Sequence, residues 1–200
     1  MKELSQYKLN KIENNLRLIY SMSDQYDIIN GKQWYRTANE ICNTLAKLYD
    51  TDTFTVSGII SALSPRNKWH QNIIDAETVL KAVKEGKNPD DVKVCTFHTN
   101  KRKAFKIAKK ELIITNESRK TFAFCQNISL LNENFVTVDI WHLRACFYKT
   151  IKIGSASIGK IAYSQIENIT KKIASEFNLS GFEFQAIIWN IVRDGKIDLK

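Results

Sequence analysis

An all-α fold follows from three features of the sequence. Apolar residues recur three and four positions apart through long segments, Gly and Pro are few (7 and 2 in 200 residues), and strand-like alternation is nearly absent. With 44% hydrophobic and 26% charged residues the composition is globular, excluding collagen-like, disordered and disulfide-scaffold classes. A chain of this length buries roughly 70% of its unfolded surface, as one large domain or two small lobes.

Taken in order, the first helix lies near residues 6 to 22, where Leu9, Ile12, Leu16 and Ile19 or Tyr20 form one stripe. Trp34, Ala38, Ile41, Leu45 and Leu48 form the second, ending before the turn Thr51 to Thr53. An apolar run from Phe54 to Leu63 is broken by Ser-Pro-Arg-Asn at Ser64 to Asn67. A helix then runs from about Lys68 to Glu85, closed by Gly86 and Asn-Pro. A basic helix spans about Asn100 to Lys110 with Ala104, Ile107 and Ala108 inside, and a short link leads to Arg119 to Leu130, which buries Phe122, Cys125 and Ile128. Phe135 to Val138 is briefly extended, and Asp139 stands as N-cap to a helix from Ile140 to Lys149. After the looser Gly154 to Gly159 stretch come helices from about Tyr163 to Phe177 and Phe182 to Arg193. No repeat, linker or low-complexity tract stands out.

The formal charge is +9, which favours a polyanionic partner, with nucleic acid first. The excess is local as well: Thr99 to Lys120 carries eight basic residues against Glu111 and Glu117. No apolar stretch approaches the roughly 20 residues that span a bilayer, and the N-terminal residues lack the apolar core of a secretory signal, so a soluble chain of the reducing cytoplasm is expected. Cys42, Cys95, Cys125 and Cys146 are widely spaced with no CxxC pair, which predicts buried, reduced thiols and no metal site. A solvated helix face is the plain alternative for the basic run.

Two residues could carry chemistry. A lysine activated by burial or by cationic neighbours forms Schiff bases, and Lys120 has Arg119 beside it. A carboxylate such as Asp139 exchanges protons and stabilises a sugar cation. By sequence logic alone, Asp139 is an ordinary N-cap and Lys120 an ordinary surface cation.

Four segments in order then resemble the helix-hairpin-helix DNA glycosylases, the superfamily of endonuclease III and 8-oxoguanine glycosylase, over about Ile59 to Gly195. The stretch from Ile59, IISALSPRNKWHQ, is similar to a helix, DNA-contacting turn and second helix, with Arg66 at the strand-probing position. The stretch TNKRKAFKIAKK from Thr99 is similar to the helix before the hairpin. From Ile113, IITNESRKTFAF resembles the hairpin itself, with Lys120 where bifunctional members carry their Schiff-base lysine. From Phe135, FVTVDIWHLRACF resembles the segment of the catalytic aspartate, which falls on Asp139, with Arg144 five places on.

The chain departs from that pattern at Asn116, Glu117 and Ser118, where the hairpin has glycines, and at His142, three rather than two places after Asp139. The iron-sulfur cysteines of endonuclease III are absent.

The resemblance implies two helical lobes with a DNA-binding cleft, about 40 to 134 forming the central one and about 1 to 39 with 135 to 200 the other, in a single compact unit. The implied activity is a DNA glycosylase that releases a damaged or modified base from a flipped-out nucleotide in duplex DNA, with AP-lyase chemistry if Lys120 is the nucleophile. Asp139 and Lys120 are then catalytic. Arg66, Asn67, Lys68, Lys101, Lys103, Asn116, Ser118, Arg119, His142 and Arg144 contact DNA, and Trp69, His70 and Trp141 line the base pocket. No cofactor or metal is needed, and a monomer is expected. Two other functions fit the same residues: a phage-type base-modification enzyme on this scaffold, and a non-catalytic DNA-binding module using the basic face alone.

Overall fold

The computed structural model describes residues 3–130, 134–148 and 158–193. Their regular elements are all helices, with no strand among the described residues. The helices are α1 (Gln6–Tyr20), α2 (Gln25–Leu48), α3 (Thr53–Leu63), α4 (Trp69–Lys84), α5 (His98–Ala108), α6 (Arg119–Leu130), α7 (Ile140–Cys146), α8 (Lys160–Glu176) and α9 (Gly181–Arg193). Two single 3-10 turns, Pro89–Asp91 and Asn116–Ser118, precede α5 and α6. The chain divides into two compact units, Met1–Arg36 with Asn132–Lys200, and Thr37–Leu131. No described helix is long and apolar enough to cross a membrane.

The Thr37–Leu131 unit is built around α3. Every residue from Thr55 to Leu63 is buried, and α4, α5 and α6 pack against it. Such a helix is buried all round, its polar positions limited to small Ser and Thr side chains, which removes the one-sided periodicity that identifies surface helices. Asp52 caps it, accepting from Thr55 N at 2.8 Å and Thr55 Oγ1 at 2.7 Å.

In the other unit α1, α7, α8 and α9 share a core of Ile12, Leu16, Ile19, Val138, Leu143, Ile166, Phe184 and Ile188, among others. Burying one such Ile, Leu or Phe side chain stabilises by about 1.5–3 kcal/mol.

Several expectations are revised. Helix α2 begins at Gln25, nine residues before Trp34, where Asp24 accepts the Asp27 amide at 2.9 Å as a cap; Tyr26 and Ile29 on its first turns are exposed and carry no apolar stripe. Helix α7 ends at Cys146, and Lys149 and Gly154 to Ser157 lie outside the described residues, while Gly159 is the N-cap of α8. Cys42, Cys125 and Cys146 are buried free thiols, and burial pushes Cys42 up to about 11 and Cys125 to about 12. Cys95 is instead exposed, since it sits on the loop before α5.

Candidate functional site

Two structures gather the residues singled out above, one in each unit. The first, in Thr37–Leu131, is the turn between α3 and α4. Ser64 to Asn67 closes with Asn67 N donating to the Ser64 carbonyl at 3.1 Å, Pro65 second and Arg66 third in the turn. Arg66 has φ +58°, the pattern of a type II turn, which favours glycine at that place. An arginine there is held in the left-handed region and projects an exposed guanidinium, centred 5.5 Å from the Phe97 ring.

Buried Asp75 anchors the turn. Its carboxylate accepts from Asn67 Nδ2 at 2.8 Å, Gln71 Nε2 at 2.9 Å and the Cys95 amide at 2.9 Å. One charged group therefore ties the turn, α4 and the loop before α5 together. Asn67 is thus committed to Asp75 rather than displayed. Lys68 is exposed at the N-cap of α4, His70 is exposed two residues later, and Trp69 lies half-buried, its ring edge-on to Phe124 at 6.5 Å. Phe124 is four residues after Lys120, so the two share a face of α6 and bring the head of that helix beside the head of α4. Lys120 is exposed and forms no ion pair among the described residues.

The link before α6 is not a tight glycine-like hairpin. Thr115 to Ser118 turns through a 3-10 step, Ser118 N donating to the Thr115 carbonyl at 3.1 Å, with no positive φ at Asn116, Glu117 or Ser118. The left-handed residue lies upstream at Lys110, φ +60°, where α5 ends. Asn116 and Ser118 are exposed, as the sequence reading required, and Arg119 is half-buried.

The basic run divides. Lys101 is buried, 5% exposed, its Nζ donating to the Val92 carbonyl at 2.9 Å, so it holds the loop before α5 and is removed from the DNA-contacting set. Position in the helix explains this: Lys101, Ala104, Phe105 and Ile107 are the buried face of α5. Arg102 pairs with Asp90 at 3.4 Å and Lys110 with Asp52 at 3.3 Å. Lys103 is half-buried, while Lys106 and Lys109 are exposed.

The second structure, in the other unit, is the junction at Asp139. The extended segment before it has no strand partner among the described residues. Side chains of α8 satisfy its backbone instead: Val136 N donates to Glu167 Oε1 at 2.9 Å, Val138 N to the Tyr163 hydroxyl at 3.0 Å, and that hydroxyl to the Val136 carbonyl at 2.8 Å. Buried Glu167 is itself met by Lys171 Nζ at 3.5 Å. Asp139 follows in extended conformation, half-buried, with Oδ1 accepting the His142 amide at 2.9 Å.

His142 is corrected from a DNA contact to a core residue. It is fully buried, and its Nε2 lies 2.9 Å from Thr170 Oγ1. The Thr170 hydroxyl donates to the Ile166 carbonyl at 2.9 Å, so Nε2 carries the proton and Nδ1 is an acceptor without a partner among the described residues. Burial pushes its pKa down to about 4, leaving it neutral near pH 7. Trp141 packs on the core and its face is covered by Arg144, whose guanidinium carbon lies 4.4 Å from the ring centroid, so neither stands as an open stacking platform. Catalytic candidates Lys120 and Asp139 belong to different units.

Asp75, Phe97, Tyr163 and Glu167 are the participants that sequence reasoning missed. Only Asp75 left a trace, in its Gln71 partner one turn earlier. Among the described residues no three His, Cys, Asp or Glu side chains gather as a metal site.

Residues 1–196 match a family described as a family of unknown function (DUF7178), and the chain belongs to it. No curated protein and no solved structure matches.

Proposed function

We propose that this member of the DUF7178 family is a DNA N-glycosylase of the helix-hairpin-helix type, acting on a damaged or modified base flipped out of duplex DNA. The observation that carries the reading is the rigid presentation of Asp139: a half-buried carboxylate at a helix head, held by a backbone amide, on a segment clamped by Tyr163 and Glu167. In this reaction the C1′–N bond breaks with its electron pair leaving on the base. The Asp139 carboxylate stabilises the positive charge that develops on the sugar ring, then accepts the proton of the water that adds to C1′.

Arg66, Lys68, Lys103, Ser118, Arg119 and Lys120 supply phosphate contacts from the Thr37–Leu131 unit, with His70 and Trp69 beside them. An arginine held at positive φ beside an exposed aromatic ring supports a role for Arg66 in probing the duplex, since a strained, solvent-facing side chain of this kind is a functional signature. Lys120 is exposed at the head of α6, and phosphate contact is the role its position supports best.

The test is mass-spectrometric detection of free bases after incubation with a panel of damaged and modified duplexes. Release of a defined base, reduced about a hundredfold or more in Asp139→Asn, is the expected result. Binding without release from any substrate would overturn it in favour of the DNA-binding module. Borohydride trapping that disappears in Lys120→Ala would add the lyase step.

A further inference from the structure

Resting on the reading of Asp139 as the carboxylate that meets the sugar, we infer that Thr170 is a positioning residue for that carboxylate, acting through the His142 side chain. The side of α8 that faces the core would ordinarily be apolar. Yet Tyr163, Glu167 and Thr170, four and three residues apart and therefore on one face, are polar and only 4%, 2% and 0% exposed. A polar side chain buried in this way is destabilising unless it is hydrogen-bonded, and all three are bonded to the same short stretch of chain. Tyr163 and Glu167 hold the backbone of Val136 and Val138, before Asp139, and Thr170 meets the His142 ring at 2.9 Å, after it. Over about 10 Å of helix, one face of α8 holds the chain on either side of the carboxylate.

The hold after Asp139 is the one that sets the carboxylate itself. Helix α7 has seven residues, too few to keep its own first turn without tertiary support. His142, its third residue, contributes two groups with separate roles: the amide donates to Asp139 Oδ1 at 2.9 Å, and the ring donates from Nε2 to Thr170 Oγ1. Thr170 fixes the direction of the second bond, because its own proton goes to the Ile166 carbonyl at 2.9 Å. The ring is wholly buried, so water offers no substitute acceptor. Nor does the other tautomer, since Nδ1 has no partner among the described residues. With the Thr170 hydroxyl gone, the unpaired donor is relieved by displacing the first turn of α7 from α8, and the amide that fixes Asp139 moves with that turn.

The test breaks the bond from each end and restores it from each end. Thr170→Val removes the acceptor and His142→Leu the donor, whereas Thr170→Ser keeps a hydroxyl and His142→Gln places an amide donor near the former Nε2. Hydrogen–deuterium exchange of the protein alone, followed by NMR, reads the His142-position amide and hence its bond to Asp139. Relative to the α9 amides, which report the stability of the unit as a whole, that amide is to exchange about tenfold faster in the breaking variants and within about twofold of wild type in the restoring ones. Single-turnover base release from the panel of damaged and modified duplexes is to fall about tenfold in the breaking variants at an unchanged half-saturating concentration, because a misplaced reacting group lowers rate rather than binding. If one breaking variant does not fold, the other tests the same bond. Exchange that rises no more than in α9, a full rate of release in the breaking variants, no recovery in the restoring ones, or failure of both breaking variants to fold would each overturn the inference. If wild-type protein releases no base from any duplex, the glycosylase reading falls by itself, and the exchange measurement still decides whether Thr170 holds Asp139.

Discussion

Truncating Asp75 would leave three hydrogen-bond donors without their acceptor: the Asn67 and Gln71 amides and the Cys95 backbone N–H. Hydrogen bonds to a buried charge contribute more than neutral ones, so Asp75→Ala is expected to destabilise by about 3 kcal/mol in urea titration. Faster deuterium exchange at Cys95 and Asn67 than in the rest of the unit would locate that loss in the turn carrying Arg66. His142 gives a residue-scale prediction of another kind. Its folded pKa, about 4, lies below the unfolded value near 6.5, so the unfolded chain binds more protons between those limits. Its contribution is fully present above pH 6.5 and is lost as pH falls towards 4, by about 3 kcal/mol. His142→Gln should flatten the fall in stability over that interval, measured by urea unfolding at stepped pH.

At the scale of the helix, four ends share one device. Asp50, Gly86, Lys110 and Asn178 all lie at positive φ, and in each case the next amide reaches back to a carbonyl five residues earlier, as Thr51 N does to Ala46 at 2.9 Å and Leu179 N to Ala174 at 3.0 Å. Only one of the four is glycine. Asp50 adds a second cost to the left-handed backbone, since its negative side chain lies at the negative end of α2. Asp50→Gly should stabilise by about 0.5–1 kcal/mol after the entropy of the added glycine is counted, raising Tm by about 2–4 °C per kcal/mol gained. No rise in a calorimetric scan would mean that the cap is less strained than its φ implies.

For the whole molecule, the +9 charge matters through the cations that can reach a phosphate. With Arg66, Lys68, Lys103, Arg119 and Lys120 engaged, the log–log salt dependence of duplex binding should have a slope of about −4 to −5. Lys120→Ala should reduce that slope by about one, whereas Lys101→Met should leave it unchanged and lower stability instead, because Lys101 is internal.

The helices and the capping role of Asp139 were legible because amphipathic period and N-cap chemistry are local properties. The inward turn of Lys101 and His142 was not, since a charged or polar residue on a buried face is placed by tertiary partners, Val92 and Thr170, that sequence spacing does not announce. The same holds for the clamp on Asp139, built from α8 side chains 25 and 31 residues away in the chain from the amides they meet.

That clamp has a consequence for solubility. Phe135 to Val138 is β-branched, aromatic and extended, the kind of segment that recruits identical strands from other chains. Here the Val136 amide and carbonyl and the Val138 amide are already taken by Glu167 and Tyr163, so the folded chain offers a would-be fibril little ladder to extend. The tyrosine and glutamate that present Asp139 thus also act as guards against self-templating, and a weakened clamp would surface as turbidity on storage before it surfaced as a lower melting temperature.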